Sequence, residues 1–457
     1  MLSGEYNFLI DHMWLTDIIA VVLLIIPIFL IFYDNKWIFG YYVTSIVANL
    51  PLIFYMRFKF SYEAIIALMI IIVIIRDIIR TKELKYYSTK EGLELIFFFL
   101  LILLVNIFTS FFNFNKIEVI NRIIIYGVNL FILFIFTYYM NSYRKIKVIR
   151  NGFIFGALLL ICSMIIEMIY GYYILGVANM RPSGLLLDPN VCAFALNLSL
   201  IISFIKNDKT NVLYDLFIIF SRVIIVFAIF LTVSRSAYIG TIFILSSLII
   251  YYSKGKRRWI ALSTVVVFII MYLIFFNIIK NFIDQIYSII DLNRIFPTPK
   301  PVPNEPPTPG GIVVEPDYSN SRITLIKAAF TVFINNFVVG AGAGNVPHKI
   351  YLITNMKMNA HNLLLQLLAE SGIFMLATIL IFLYFAFKFI MTIKGSSKFI
   401  IFLFISLIII ESMFNHNLLN INIFYIAFAI ILSLVSRNSR NQKTFSISKE
   451  TLRLSRN

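Results

Sequence analysis

Cysteine, histidine and charge are all scarce in this chain. Of 457 residues only two are cysteine and four histidine, and charged residues make up 13%. Cys162 and Cys192 both fall inside apolar runs, which excludes a disulfide framework or a thiolate metal site and reads as core packing. Acidic residues number 22. Those in the connections on one side, Glu118, Asp188, Glu305, Glu315 and Asp317, lack the spacing that Mg²⁺ or Zn²⁺ needs, so neither a metal nor another cofactor is expected. Strand-like alternation is missing as well, which argues against a membrane β-barrel. Met1 to Trp14 carries no basic segment and no small-residue cleavage site follows the first apolar run, so that run is expected to be retained.

What the chain has in abundance is apolar length. It is 60% hydrophobic with a mean hydropathy of +0.90, against roughly 45–50% apolar residues in soluble domains. Such a chain needs lipid as its solvent. Runs of about 17 to 25 residues recur, the length that crosses a roughly 30 Å hydrocarbon layer as a helix. The expected spans are 15–33, 37–56, 62–79, 93–112, 119–139, 149–170, 189–206, 213–233, 236–252, 258–277, 361–387, 398–414 and 419–436. The fold class is therefore all-α, a polytopic membrane protein of about 13 transmembrane helices (12–14) with one large extracytoplasmic loop.

Net charge is +17, and its placement in short connections fits a positive-inside bias better than nucleic-acid binding. Arg76 to Lys90, Arg144 to Arg150, Lys254 to Arg258, Lys388 to Lys398 and the tail from Arg437 read as cytoplasmic. The alternating connections, around Arg181, at Arg235, after Asn277 and around Asn415, then face outside. So does an N-terminus with Glu5, Asp11 and Asp17 but no Lys or Arg. The chain divides into an N-terminal scaffold (1–170), a span region with the Arg181 and Arg235 loops (171–277), the large loop (278–360), C-terminal helices (361–436) and a basic cytoplasmic tail (437–457).

The large loop is the one long polar interruption. Pro297 to Pro309 cannot supply ladder hydrogen bonds and reads as an exposed polyproline spacer. From Arg322 to Phe337, Ile323, Ile326, Phe330 and Phe333 recur at helical spacing, which predicts an amphipathic helix on or in the membrane surface. A small-residue turn, Gly340-Ala341-Gly342-Ala343-Gly344, and then Ala360-His361-Asn362 follow.

Chemistry is expected around these loops. Arg181 precedes Asp188-Pro189-Asn190, where Asp188 can cap a helix that Pro189 begins. Arg235 lies in a very short turn that fixes its guanidinium near the interface. Guanidinium suits phosphate because its planar fork stays charged and donates in parallel, although an ordinary loop arginine meeting lipid headgroups explains Arg181 about as well. His361 has an unperturbed pKa near 6.5 and could take a proton from an attacking hydroxyl; a lone interfacial histidine is more often structural. His348 and His416 are weaker candidates, and His12 has no supporting context. Arg222, near the middle of a span, needs a partner at equal depth, and counting residues from the span ends nominates Glu370. Arg181, Arg235 and His361 are expected to converge on one outward-facing cavity with Arg322 at its rim.

These stretches resemble the ordered signature of the O-antigen ligase and polymerase family: Arg181-Pro182-Ser183-Gly184 with Asp188-Pro189-Asn190, Ser234-Arg235-Ser236-Ala237, Gly340 to Gly344, and His361-Asn362 with Glu370-Ser371-Gly372. The resemblance covers about residues 180 to 390. It implies a metal-independent glycosyltransferase of the bacterial inner membrane that moves oligosaccharide from undecaprenyl diphosphate to a sugar hydroxyl. Arg181, Arg235 and Arg322 would bind the diphosphate, His361 would activate the acceptor, and the glycines near Gly342 would shape the approach to the lipid. Implied partners are the lipid-linked donor, a glycan or glycolipid acceptor, membrane lipids and, as a further candidate, a chain-length regulator protein. The ligase branch carries Gly, Thr or Tyr where this chain has Met375, which favours a polysaccharide polymerase over a ligase to lipid A core. A transporter or flippase is the alternative from another class, but the inverted repeats it calls for are not visible. A non-catalytic assembly protein is a third.

Overall fold

The computed structural model describes residues 13–33, 36–59, 62–81, 90–112, 116–140, 142–170, 181–186, 188–205, 211–253, 318–356, 358–392 and 396–434. Fifteen helices and no strand occur among them. They are α1 (Met13–Tyr33), α2 (Lys36–Val47), α3 (Leu50–Phe58), α4 (Tyr62–Thr81), α5 (Lys90–Ser110), α6 (Lys116–Tyr139), α7 (Tyr143–Tyr170) and α8 (Pro189–Ser203). Then follow α9 (Val212–Leu231), α10 (Arg235–Tyr252), α11 (Tyr318–Asn335), α12 (Val346–Thr354), α13 (Leu363–Thr392), α14 (Ser396–Ser412) and α15 (Asn422–Leu434). The expected span 258–277, the Pro297 to Pro309 tract and the basic tail lie outside the described residues.

Six helices carry stretches individually long and apolar enough to cross a membrane, and Ile96–Ser110, α8 and α15 are shorter apolar helices. Their outward faces are as apolar as the core. Ile25, Phe29 and Phe32 on α1 and Leu216, Phe220 and Phe227 on α9 are all more than half exposed, a surface that only lipid stabilises. The protein is thus an all-helical, multi-pass membrane protein.

Between helices in lipid, close approach replaces the hydrophobic drive. In α7, Gly152 and Gly156 are one turn apart and face α2; a Cβ at Gly152 would lie 2.5 Å from the Gly40 carbonyl oxygen. Small residues therefore set the tightest crossing in the bundle.

Several spans depart from simple rods. The run expected at 37–56 breaks between α2 and α3, because Pro51 lacks an N–H and crowds the preceding turn, and Asn49 takes φ 53° there. Its Nδ2 donates to the Leu185 carbonyl at 2.5 Å, joining the break to the segment before α8. Helix α8 has 15 residues, about 22 Å of rise, and stops short of a full crossing. Helix α13 is interrupted at Gly372, with φ 61° and ψ −144°. Cys192 is buried as expected, whereas Cys162 is exposed on the lipid side of α7, where a small polarisable thiol is as compatible with hydrocarbon as with the core.

Candidate functional site

Three helix starts meet at one end of the bundle. Asp188 caps α8 by accepting the Asn190 N–H at 2.8 Å, with Pro189 at the first position, as the sequence predicts. Arg181 is tied to this start and to the next turn: its Nε donates to the Thr232 carbonyl at 3.0 Å and its Nη2 to Asn190 Oδ1 at 3.3 Å. The same Asn190 oxygen accepts from Ser234 Oγ at 2.9 Å. Ser234 is the N-cap of α10 and Arg235 its first residue. Val233 just before it is held at φ 49°, a conformation that β-branched residues rarely adopt.

Below this turn, Glu167 of α7 accepts the backbone N–H groups of Ser183 and Gly184 at 2.9 and 2.6 Å. Nothing in the spacing of the sequence pointed to Glu167. Its reach across from α7 fixes the Arg181-Pro182-Ser183-Gly184 turn.

The glycine turn packs against the interruption in α13. Ala341 N–H and Gly342 N–H donate to the Ala369 and Glu370 carbonyls at 2.8 Å each, and Ile373 N–H donates to the Phe337 carbonyl at 2.8 Å. These are backbone groups that the interruption of α13 at Gly372 leaves without helical partners. A Cβ at Gly340 would sit 2.3 Å from the Glu370 carbonyl oxygen, and Gly340 has φ 71°, so only glycine allows this approach. The turn docks α11 and α12 onto α13.

Helix α11 forms where expected, but with its buried face in another phase. Leu325, Ala328, Ala329 and Val332 are buried with Phe333, while Ile323, Ile326 and Phe330 are exposed. Small alanines permit the close contact with α13, and the bulky residues are left for lipid. Arg322, near the start of α11, is exposed.

His361 precedes α13 with φ 51°. Asn362 caps that helix, its Oδ1 accepting the Leu365 N–H at 2.9 Å and its Nδ2 donating to the Met413 carbonyl at 3.3 Å. On the other side of the histidine, Ala360 N–H donates to Gln366 Oε1 at 3.1 Å. The backbone on either side of the histidine is thereby held.

Electrostatics bring these residues together. Burial holds Arg181 below the usual guanidinium range; Asp188 opposes this, while Arg322 and Arg235 add to it. Burial, then Arg322, hold His361 below its ordinary value, with Asp188 pulling the other way. Arg322 and Asp188 thus act on both Arg181 and His361, and Arg235 on Arg181. His416 completes the group, its ring perpendicular to that of His361 with centroids 5.2 Å apart. Burial, His361 and Arg122 push it down to about 3. His348 is exposed on α12, and His12 lies outside the described residues.

Arg222 and Glu370 do not form the pair that residue counting nominates. Arg222 reaches the end of α8, its Nε donating to Ser203 Oγ at 2.9 Å and its Nη2 to the Ser203 carbonyl at 2.6 Å, over the Phe204 ring. The carbonyls of a helix C-terminus have no helical donors and attract a cation, and a long side chain reaches them from mid-span. Glu370 instead pairs with Arg122 of α6 at 3.3 Å. It also accepts Gln366 Nε2 at 2.8 Å and the Gly344 N–H at 3.2 Å. Arg122 could have been found by asking which basic residue starts a span at the same end as Glu370. No group of three or more metal-ligating side chains occurs among the described residues.

The structure thus defines a helical, multi-pass membrane protein with arginines and two histidines gathered near the starts of α8, α10 and α13. Residues 220–380 match the family model for O-antigen ligase, which supports the family that the motifs resemble. The matched segment holds Arg235, Arg322, the glycine turn, His361 and Glu370, and leaves Arg181 and Arg122 outside it. No curated protein matches the chain.

Proposed function

We propose that this protein is a membrane glycosyltransferase that moves an oligosaccharide from undecaprenyl diphosphate to a sugar hydroxyl, on the extracytoplasmic face of a bacterial inner membrane. The observation that supports this reading is that Arg181 bridges the start of α8 and the turn into α10, whose first residue is Arg235, while Arg322 acts on both Arg181 and His361. Like charges gathered beside the starts of α8 and α10 repel one another unless an anion joins them, and helix N-termini favour that anion further. A diphosphate fits in size and charge.

In the reaction, the acceptor oxygen attacks the anomeric carbon, the carbon–oxygen bond to the diphosphate breaks, and the hydroxyl proton passes to a nitrogen of His361. The leaving diphosphate keeps the bond pair, and the arginines stabilise the charge it gains. Because burial and Arg322 favour the neutral imidazole, His361 is available as a base near neutral pH. Holding donor and acceptor together supplies the rest.

Met375 at the last position of the ligase motif, wholly buried in the core, favours polymerisation. The description of the matching family favours ligation. Reconstitution with a lipid-linked repeat unit separates the two: a ladder of products marks a polymerase, a single transfer to a different acceptor marks a ligase, and no transfer from the lipid rejects both.

A further inference from the structure

Beyond the arginine cluster, a second polar group lies against His361. The segment between α14 and α15 runs Met413 to Ile421 and carries Asn415, His416, Asn417 and Asn420. It is folded by its own side chains: Asn415 Oδ1 accepts the Asn417 N–H at 2.9 Å, and Asn420 Nδ2 donates to Asn417 Oδ1 at 3.3 Å. Arg122 Nη1 donates to Asn420 Oδ1 at 2.8 Å, which connects the segment to Glu370.

Within this connected group, His416 Nδ1, Asn415 Nδ2 and Glu370 Oε2 are buried and have no hydrogen-bond partner among the described residues. Each such atom destabilises the fold if it stays unsatisfied. They include a donor amide and an acceptor carboxylate oxygen, so the ligand that completes them must both donate and accept. A diphosphate cannot donate, and Glu370 already balances the charge of Arg122 at 3.3 Å. A sugar, with hydroxyls that do both, is the matching chemistry.

We infer that the Asn415–Asn420 segment, with Arg122 and Glu370, forms the subsite for the acceptor glycan, and that His416 positions the acceptor hydroxyl against His361. This rests on the glycosyltransferase reading above and adds where the second substrate sits. The perpendicular rings at 5.2 Å put His416 beside the base, while Arg322 and Asp188 act on His361 from the arginine cluster. The base then stands between the two substrates, as a displacement reaction requires. His416 is a positioning residue, since its own affinity for protons is too low for it to serve as the base.

The test uses the full-length protein in proteoliposomes. The donor is lipid-linked oligosaccharide extracted from its host, and the acceptor is the same oligosaccharide released from lipid, varied at saturating donor. His416→Ala should raise the acceptor KM roughly five- to tenfold, the loss of one ligand hydrogen bond, with donor KM unchanged. His416→Gln should recover part of the affinity, and Asn415→Ala should show the same acceptor-side effect should the alanine variant at 416 fail to fold. Unchanged acceptor KM in the folded variants, or a change confined to donor KM, overturns the subsite. No transfer by the unaltered protein, either to this acceptor or to a lipid A core glycolipid supplied in its place, overturns the glycosyltransferase reading itself, and the subsite with it.

Discussion

The two ends of α8 both hold arginines, and they hold them differently. At its C-terminus Arg150 and Arg222 are taken up by protein acceptors. Arg222 donates to Ser203, and Arg150 Nη1 donates to the Ile205 carbonyl at 2.8 Å, with further bonds to Asn151 and Tyr214. Positive charge there meets the negative end of the helix dipole and the free carbonyls of a short helix that stops within the membrane. At the N-terminus, Arg181 lies within the fields of Arg322 and Arg235, beside the positive ends of α8 and α10. Arg181 is bonded to protein acceptors as well, but only at this end does positive charge meet the positive ends of helices, where an anion is favoured, and the strained Val233 and His361 backbones belong to that end.

Substitutions at the two ends should therefore separate activity from stability. Arg181→Ala or Arg235→Ala is expected to lower kcat about 100-fold or more, the scale of losing a transition-state charge partner, in excess of any loss of stability from the bonds of Arg181 to Thr232 and Asn190. Arg222→Met should do the reverse, costing about 1–3 kcal/mol of stability through the uncapped helix end and leaving kcat intact. Equal losses of activity at both ends would break the distinction.

The docking of α11 offers the next largest effect. Gly340→Val would drive a side chain into the Glu370 carbonyl and should release the α11–α12 unit from α13. Arg322 would leave the pocket with it. We expect transfer to fall at least tenfold, since mispositioning of about 1 Å can cost roughly a hundredfold, with protease cleavage near residues 340–344 rising in parallel. Full activity with enhanced cleavage would show that Arg322 is dispensable.

Much of this was legible in the chain because it is written locally. Asp188-Pro189 announces a helix start, apolar length announces a membrane, and His361-Asn362 sits at a helix mouth. What was hidden depends on tertiary choice. Glu370 selected Arg122 over Arg222 because a helix C-terminus offered Arg222 carbonyls that no residue count reveals. Helix α11 buried the phase with Ala328 and Ala329 because small residues pack closer than Ile and Phe. The glycine turn serves a break in α13 that only the fold makes visible, and Glu167 acts across a distance that sequence spacing does not encode.

Arg122→Met should unbalance the buried Glu370 and cost about 3 kcal/mol, an effect read in thermal unfolding. Stability unchanged by this substitution would show that Glu370 is held by Gln366 and Gly344 alone. The smallest expected effect is a pH shift. His361 must be neutral to accept a proton, and its value lies below the ordinary 6.5, so kcat/KM should be fully developed above about pH 6.5 and fall as pH drops through a lower value. Arg322→Ala, by removing a neighbouring positive charge, should move that acidic limb upward. A limb above 6.5 in the unaltered protein, or no movement in the variant, would disconnect the two groups.

The claim that the arginine end is a diphosphate site is tested most directly by thermal unfolding of the detergent-solubilised protein with undecaprenyl diphosphate, comparing Arg181→Ala/Arg235→Ala with Arg222→Met. The account predicts that the lipid raises the unfolding temperature of the unaltered protein and of Arg222→Met, by about 2.7 kcal/mol of stabilisation at a hundredfold excess over Kd, and leaves the double variant unmoved. Stabilisation retained in the double variant, or lost in Arg222→Met, would contradict it.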